Sequence, residues 1–148
     1  MSLGKAIYSR LTAAQTGDAS AQTTALATIA AAVGTRVYPH NSPDNLYPMI
    51  AYEIQQEDED SLTPMTAKEF SMILTIVANG SGAYSTVQSL KAATRVLLDR
   101  KSSPNAGWGG VVCKCYLKGS DEADETDAGN SDAAFFEVAD TYKVWAAA

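Results

Sequence analysis

The stretch KEFSMILTIVANGSG, residues 68–82, decides the fold. Phe70, Met72, Leu74, Ile76 and Ala78 fall on one side of an extended chain, because successive side chains of a strand point to opposite faces. The other side still carries Ile73 and Val77, so the spacing predicts a strand over 68–79 in the middle of a sheet. Asn79-Gly80-Ser81-Gly82 then turns the chain. Residues 84–100 change period: Val87, Leu90, Ala93 and Leu97, with Leu98 at the edge, make one stripe of a helix. A central strand followed by an amphipathic helix implies helix-on-sheet packing.

Working outward, Leu3, Ile7, Leu11 and Ala14 form a helical stripe over 3–16, with Lys5, Ser9 and Arg10 off it. A second helix is expected over 20–33, with Ser20 as N-cap, Leu26, Ile29, Ala30 and Val33 as its apolar edge, and Gly34 just past its end. Arg36-Val37-Tyr38 reads as a short strand. Residues 49–56 place Ile50, Tyr52 and Ile54 on one face and Ala51, Glu53 and Gln55 on the other. Residues 111–118 point Val111, Cys113, Cys115 and Leu117 inward and Lys114 and Lys118 outward. A last strand over 134–146 carries Phe136, Val138, Tyr142 and Val144 on one face. The expected order is α-α-β-β-β-α-β-β. That is an α+β domain with a mostly antiparallel, curved sheet flanked by helices on one face. Residues 57–66, 101–110 and 119–132 read as loops, the first and last acidic.

The chain has 148 residues, enough for a single domain spanning 1–148, with 46% hydrophobic residues. There is no internal repeat and no linker. The net charge of −6 opposes general attraction to nucleic acid or to anionic membranes. No apolar run approaches the roughly 20 residues of a membrane span. The N-terminal MSLGKAIYSRL lacks the apolar core of a signal peptide, and the expected compartment of synthesis is reducing.

Motifs for chemistry are weak. His40 is the one histidine, and no Ser, Cys or Asp is placed by motif to work with it as a base. Cys113 and Cys115, two apart on a strand, suit neither a disulfide nor a four-ligand zinc site. In DEADETDAGNSD, residues 121–132, Asp124 fits a calcium loop counted back from Gly129, but Thr126 and Ala128 break the pattern. Gly80-Ser81-Gly82 lacks the lysine and spacing of a P-loop. The sequence therefore implies no enzyme, no metal and no cofactor. Its charge is uneven: Glu57, Asp58, Glu59 and Asp60 crowd one loop, and Asp121, Glu122, Asp124, Glu125, Asp127 and Asp132 the other. Such lopsidedness serves either solubility or head-to-tail contact between copies.

Three pieces recur in one order: Gly34 with Arg36-Val37-Tyr38-Pro39, then Tyr47-Pro48-Met49-Ile50-Ala51-Tyr52, then the closing Tyr142-Lys143-Val144-Trp145. With the helices KAIYSRLTA and VQSLKAATRVLLD, the chain resembles, over nearly its whole length, the tail-completion and tail-terminator proteins of long-tailed bacteriophages. The resemblance implies a structural virion protein made in the host cytoplasm, assembled as a homohexameric ring. That ring caps the tail tube, ends its polymerisation and meets the head–tail connector, while DNA passes through the hole without specific binding. The long acidic segment at 119–132 and the alanine- and threonine-rich second helix depart from the family pattern. A head–tail connector or neck protein of the same symmetry is the alternative. In another class stand a small non-viral binding module and an enzyme built on His40.

Residue by residue, Tyr38, Pro39, Tyr47 and Pro48 are expected to contact a neighbouring subunit or the tube. The prolines stiffen the connection, and tyrosines are frequent interface anchors. Blocking aggregation at a sheet edge is the competing role for those prolines. Ile73, Val77 and Trp145 are expected to leave apolar surface on the helix-free face of the sheet. Glu57, Asp58, Glu59, Asp60, Asp121, Glu122, Asp124 and Glu125 are expected to rim the channel, where like charge repels the DNA backbone.

Overall fold

The structure is a computed structural model that describes residues 3–15, 17–39, 46–56, 67–102, 112–125 and 135–147. Three helices, α1 (Leu3–Thr12), α2 (Ser20–Val33) and α3 (Ala83–Leu98), lie against one face of a sheet. The strands are β1 (Val37–Pro39), β2 (Met49–Gln56), β3 (Ala67–Asn79), β4 (Lys101–Ser102), β5 (Val112–Glu125) and β6 (Phe135–Ala147). Their order across the sheet is β1-β2-β3-β6-β5-β4, and every pair is antiparallel except β1 with β2. This is the α+β architecture the sequence implies, with the two-residue β4 added at one edge.

β3 is interior, as its two-sided apolar pattern predicts. Met72, Leu74, Ile76 and Ala78 are buried against the helices. They meet Val138, Tyr142 and Val144 of β6, Ile50 and Tyr52 of β2, and Cys115 of β5. From the helices come Ile7, Leu11, Ile29, Val33, Val87, Leu90, Leu97 and Leu98. Burying one such aliphatic side chain is worth about 1.5–3 kcal/mol, so this single core supplies the main driving force for folding. Gly80, at φ 86°, makes the turn from β3 into α3 in a conformation that suits a residue without Cβ. Gly34, at φ 58°, ends α2 and donates its N–H to the Ala30 carbonyl at 3.0 Å.

Several expectations are corrected. α1 stops at Thr12 rather than 16, and Ala14 is exposed. The chain instead bends so that Asp18 accepts from the Gln15 N–H at 2.9 Å and pairs with Arg10 at 2.9 Å. Arg10 is thereby buried, at 1% exposure, rather than lying off the apolar stripe. Arg10 Nε and Nη1 have no hydrogen-bond partner among the described residues. The α2 cap is Ala19, not Ser20, and its N–H is satisfied by Gln22 Oε1 at 2.6 Å. Pro39 is the last residue of β1 instead of the start of a loop, a position a donor-less residue tolerates on an edge strand. Residues 119–125 are strand rather than loop. β6 is long enough to pair with them all the way to Glu125, through register shifts between Val112 and Lys114 and between Leu117 and Gly119.

Candidate interaction surface

The helices cover one face of the sheet, and the alternate residues of the same strands stand on the other. On that face the register places Glu69 opposite Trp145, Ser71 opposite Lys143, Ile73 opposite Thr141 and Glu53, Thr75 opposite Ala139, and Val77 opposite Glu137 and Met49. β5 adds Lys114 opposite Trp145, Tyr116 opposite Lys143, Asp121 opposite Ala139 and Ala123 opposite Glu137. The face is thus a mixed apolar and charged surface on four strands.

Its two ends differ in shape and charge. At one end Lys114 Nζ lies 5.3 Å from the Trp145 ring centre and 5.8 Å from that of Tyr116, while the two rings are 5.5 Å apart. A cation over two aromatic faces gains from their quadrupoles, and here the lysine is exposed while both rings are half-buried. Lys143 beside it is paired with Glu69. Toward the other end the surface is hollow. An open depression of about 390 Å³ is lined by Met49, Glu53, Ile73, Thr75, Val77 and Glu137, among others. A second, of about 290 Å³, adjoins it under Tyr47 and Phe135. Glu53, Asp121 and Glu137 are exposed here, so this end is acidic.

The expected contact residues are therefore sorted. Tyr47 packs edge-to-face on Phe135, with centroids 5.3 Å apart, and with Ile73 and Trp145 it belongs to the helix-free face. All three are half-buried. Val77 is on that face too but only 8% exposed, since Tyr47, Met49 and Phe135 gather around it. It adds little free apolar surface, contrary to expectation. Tyr38 and Pro39 lie apart, on the edge strand β1. Pro48 is held by its carbonyl, which accepts from Arg36 Nε at 3.0 Å, while Arg36 Nη2 donates to the Ala32 carbonyl at 3.1 Å. The Tyr47–Pro48 peptide is cis.

Two of the expected rim acids part company. Asp121 and Glu122, adjacent on a strand, point to opposite faces. Glu122 turns to the helical side and accepts from Lys91 Nζ at 3.0 Å and Gln88 Nε2 at 3.1 Å, which holds its carboxyl below the usual range. Asp124 and Glu125 continue β5 opposite Phe136 and Phe135. Glu57, Asp58, Glu59, Asp60 and His40 lie outside the described residues, as does the Cys113 side chain. Among the described residues no group of three or more His, Cys, Asp or Glu is placed to hold a metal, and no helix is long and apolar enough to cross a membrane.

Sequence reasoning passed over the buried charges. Asp140 is fully buried and bound by both arms of Arg95, with Nε to Oδ2 and Nη2 to Oδ1 each at 2.9 Å. The hydrogen bonds that Arg95 donates to Asp140, and then the charge of Asp140, raise the Arg95 pKa. The signal was available, because Asp140 falls between Val138 and Tyr142 on the inward side of β6. Asp99, at the end of α3, accepts the Leu117 N–H at 2.7 Å and ties the helix to β5. Beside them, burial pushes the Cys115 thiol up to about 12, helped by the negative charge of Asp99. Burial likewise raises Tyr142, and also Tyr52, whose hydroxyl donates to the Gly4 carbonyl at 3.1 Å. Asp140, Cys115, Tyr142 and Tyr52 are buried in the core.

Neither a protein-family model nor any curated protein matches the chain. Among solved structures, a chain from one described as "Virion of native gene transfer agent (GTA) particle" aligns with it at a TM-score of 0.60 and 15% identity. The alignment covers 97% of this chain and 93% of that one. At that identity the likeness establishes a shared fold.

Proposed function

We propose that the protein is a non-catalytic structural component of a phage-like virion. In this reading six copies close into a ring at the end of the tail tube, stop its polymerisation and present a surface to the head–tail connector. The observation that carries the reading is the end-to-end fold likeness to a chain from a gene transfer agent virion, with no large part of either chain left over. The tail-terminator resemblance of the sequence points the same way. So does a sheet face with aromatic, apolar and charged side chains that none of the described helices covers, which suits contact with another protein better than it suits chemistry.

The ring works by shape and charge. DNA crosses a hole whose wall is built from subunits of net charge −6, and like charge keeps the phosphate backbone from adhering. Tyr38, Pro39, Tyr47, Pro48, Ile73 and Trp145 are the candidate contacts with neighbours or tube. The acids at 57–60, together with Asp121, Asp124 and Glu125, are the candidate rim. No cofactor and no membrane take part.

Deletion of the gene in its parent particle tests the position. A terminator at the tube end predicts tails of uncontrolled length. A neck or head–tail joining protein of the same symmetry predicts tails of normal length that lack heads. Particles with normal tails and attached heads refute both. Electron microscopy of the purified protein mixed with tail tubes gives the complementary image, with rings at one tube end expected and solitary molecules contradicting the proposal.

A further inference from the structure

We propose that two copies of this chain pack sheet against sheet through the helix-free face. The Lys114–Tyr116–Trp145 cluster of each sits in the hollow between Glu53 and Glu137 of the other. The contact does not depend on the ring reading, and it gives Ile73 and Trp145 to a second copy in place of the tube.

The two patches are complementary in charge and in apolar character. The hollow of about 390 Å³ has apolar walls from Met49, Ile73 and Val77, and two exposed carboxylates beside them. The cluster offers an indole, a phenol ring and an exposed ammonium over both. Seating it places aromatic surface on apolar surface and the cation between two acids, the pairing in which electrostatic complementarity fixes register.

The geometry permits both contacts at once. Trp145 and Lys114 lie level with Glu69 and Tyr116 with Ser71, while the hollow, lined on β3 by Ile73, Thr75 and Val77, centres on Thr75, about five residues along. At about 3.3 Å per residue the patches are roughly 16 Å apart along the strands, and about 7 Å apart across them at strand spacing. A two-fold axis in the plane of the interface, perpendicular to the line joining the patches, exchanges them. That line is tilted by about 24° from the strands, so the strands of the two sheets cross at about 47°, between the aligned and orthogonal arrangements of packed sheets. An isologous interface makes each contact twice.

The available area is also adequate. Three strands of about 13 residues and the eight-residue β2, at about 4.8 Å spacing and 3.3 Å per residue, give a face of about 740 Å². This is close to the roughly 800 Å² typically buried per partner in a stable complex. Ser71, Thr75 and Thr141 on the same face keep it compatible with water when copies separate.

Sedimentation velocity on the intact chain in about 0.15 M salt, which screens the net repulsion over roughly 8 Å, tests the contact. Wild type is expected to be a dimer at micromolar concentration. K114E and E137K, both at exposed positions, are each expected to weaken it at least about tenfold, and the K114E/E137K double to regain most of that loss. A monomeric wild type overturns the proposal, as do single variants that dimerise like wild type or a double no better than the singles. A larger closed species formed equally by wild type and K114E also overturns it, while leaving the ring reading intact.

Discussion

Removing Arg95 and removing its partner Asp140 should have unequal costs. The pair is bidentate, but the Asp140 side chain is fully buried while that of Arg95 is 31% exposed. In R95A the carboxylate stays in the core beside Tyr142 with no counter-ion, and breaking a buried pair in that manner costs about 3–5 kcal/mol. In D140N the guanidinium swings its exposed end into water and the amide keeps the shape of the site, so the loss is about 1–2 kcal/mol. For a chain of 148 residues, at about 2–4 °C per kcal/mol, R95A should melt roughly 6–20 °C below wild type and D140N roughly 2–8 °C below. Urea denaturation of wild type, R95A and D140N is the assay. Equal costs for the two variants refute the reasoning.

Cys115 should resist iodoacetamide in the folded protein and react only after unfolding, measured by mass spectrometry in a C113S background. Rapid labelling of the native chain contradicts its burial. Because folding raises that thiol from its ordinary value near 9 to about 12, the stability it contributes is intact below pH 9 and lost as pH climbs toward 12, with Tyr142 and Tyr52 acting in the same direction. The urea midpoint should decline over that interval, and a flat profile counts against the assignment. E122Q should leave the melting temperature within about 2 °C of wild type, since an exposed pair with Lys91 contributes little. A large drop would mean that the pair locks β5 to α3.

The α+β class, the interior position of β3 and the faces of β2 and β6 were legible because period-two alternation survives in strands whose one side is buried. Met72, Leu74 and Ile76 could hardly be placed otherwise. The end of β5 was not legible. Gly119, Ser120, Asp121 and Glu122 carry every local mark of a loop, and only pairing with the far half of β6 draws them into the sheet. That is a tertiary effect prevailing over propensity. Arg10 and Asp140 were missed for a related reason: each sits on an apolar stripe, and its partner is remote in sequence or beyond the helix. On the candidate surface, Trp145 and Ile73 followed from alternation. The fold of Tyr47 over Val77 did not, because it depends on Phe135 arriving from another strand.

The flanks of the sheet set a limit on how copies can meet. Among the described residues, one margin is the three-residue β1, which holds Pro39, and the other the two-residue β4; the long β5 inside it bears Asp121 and Glu122. Short, donor-poor or charged borders discourage the lateral strand-by-strand fusion that produces ribbons and fibres. Copies with such borders are suited to abut as discrete blocks by their broad sides and corners, and in an assembly of that kind the angle between blocks determines the count of members.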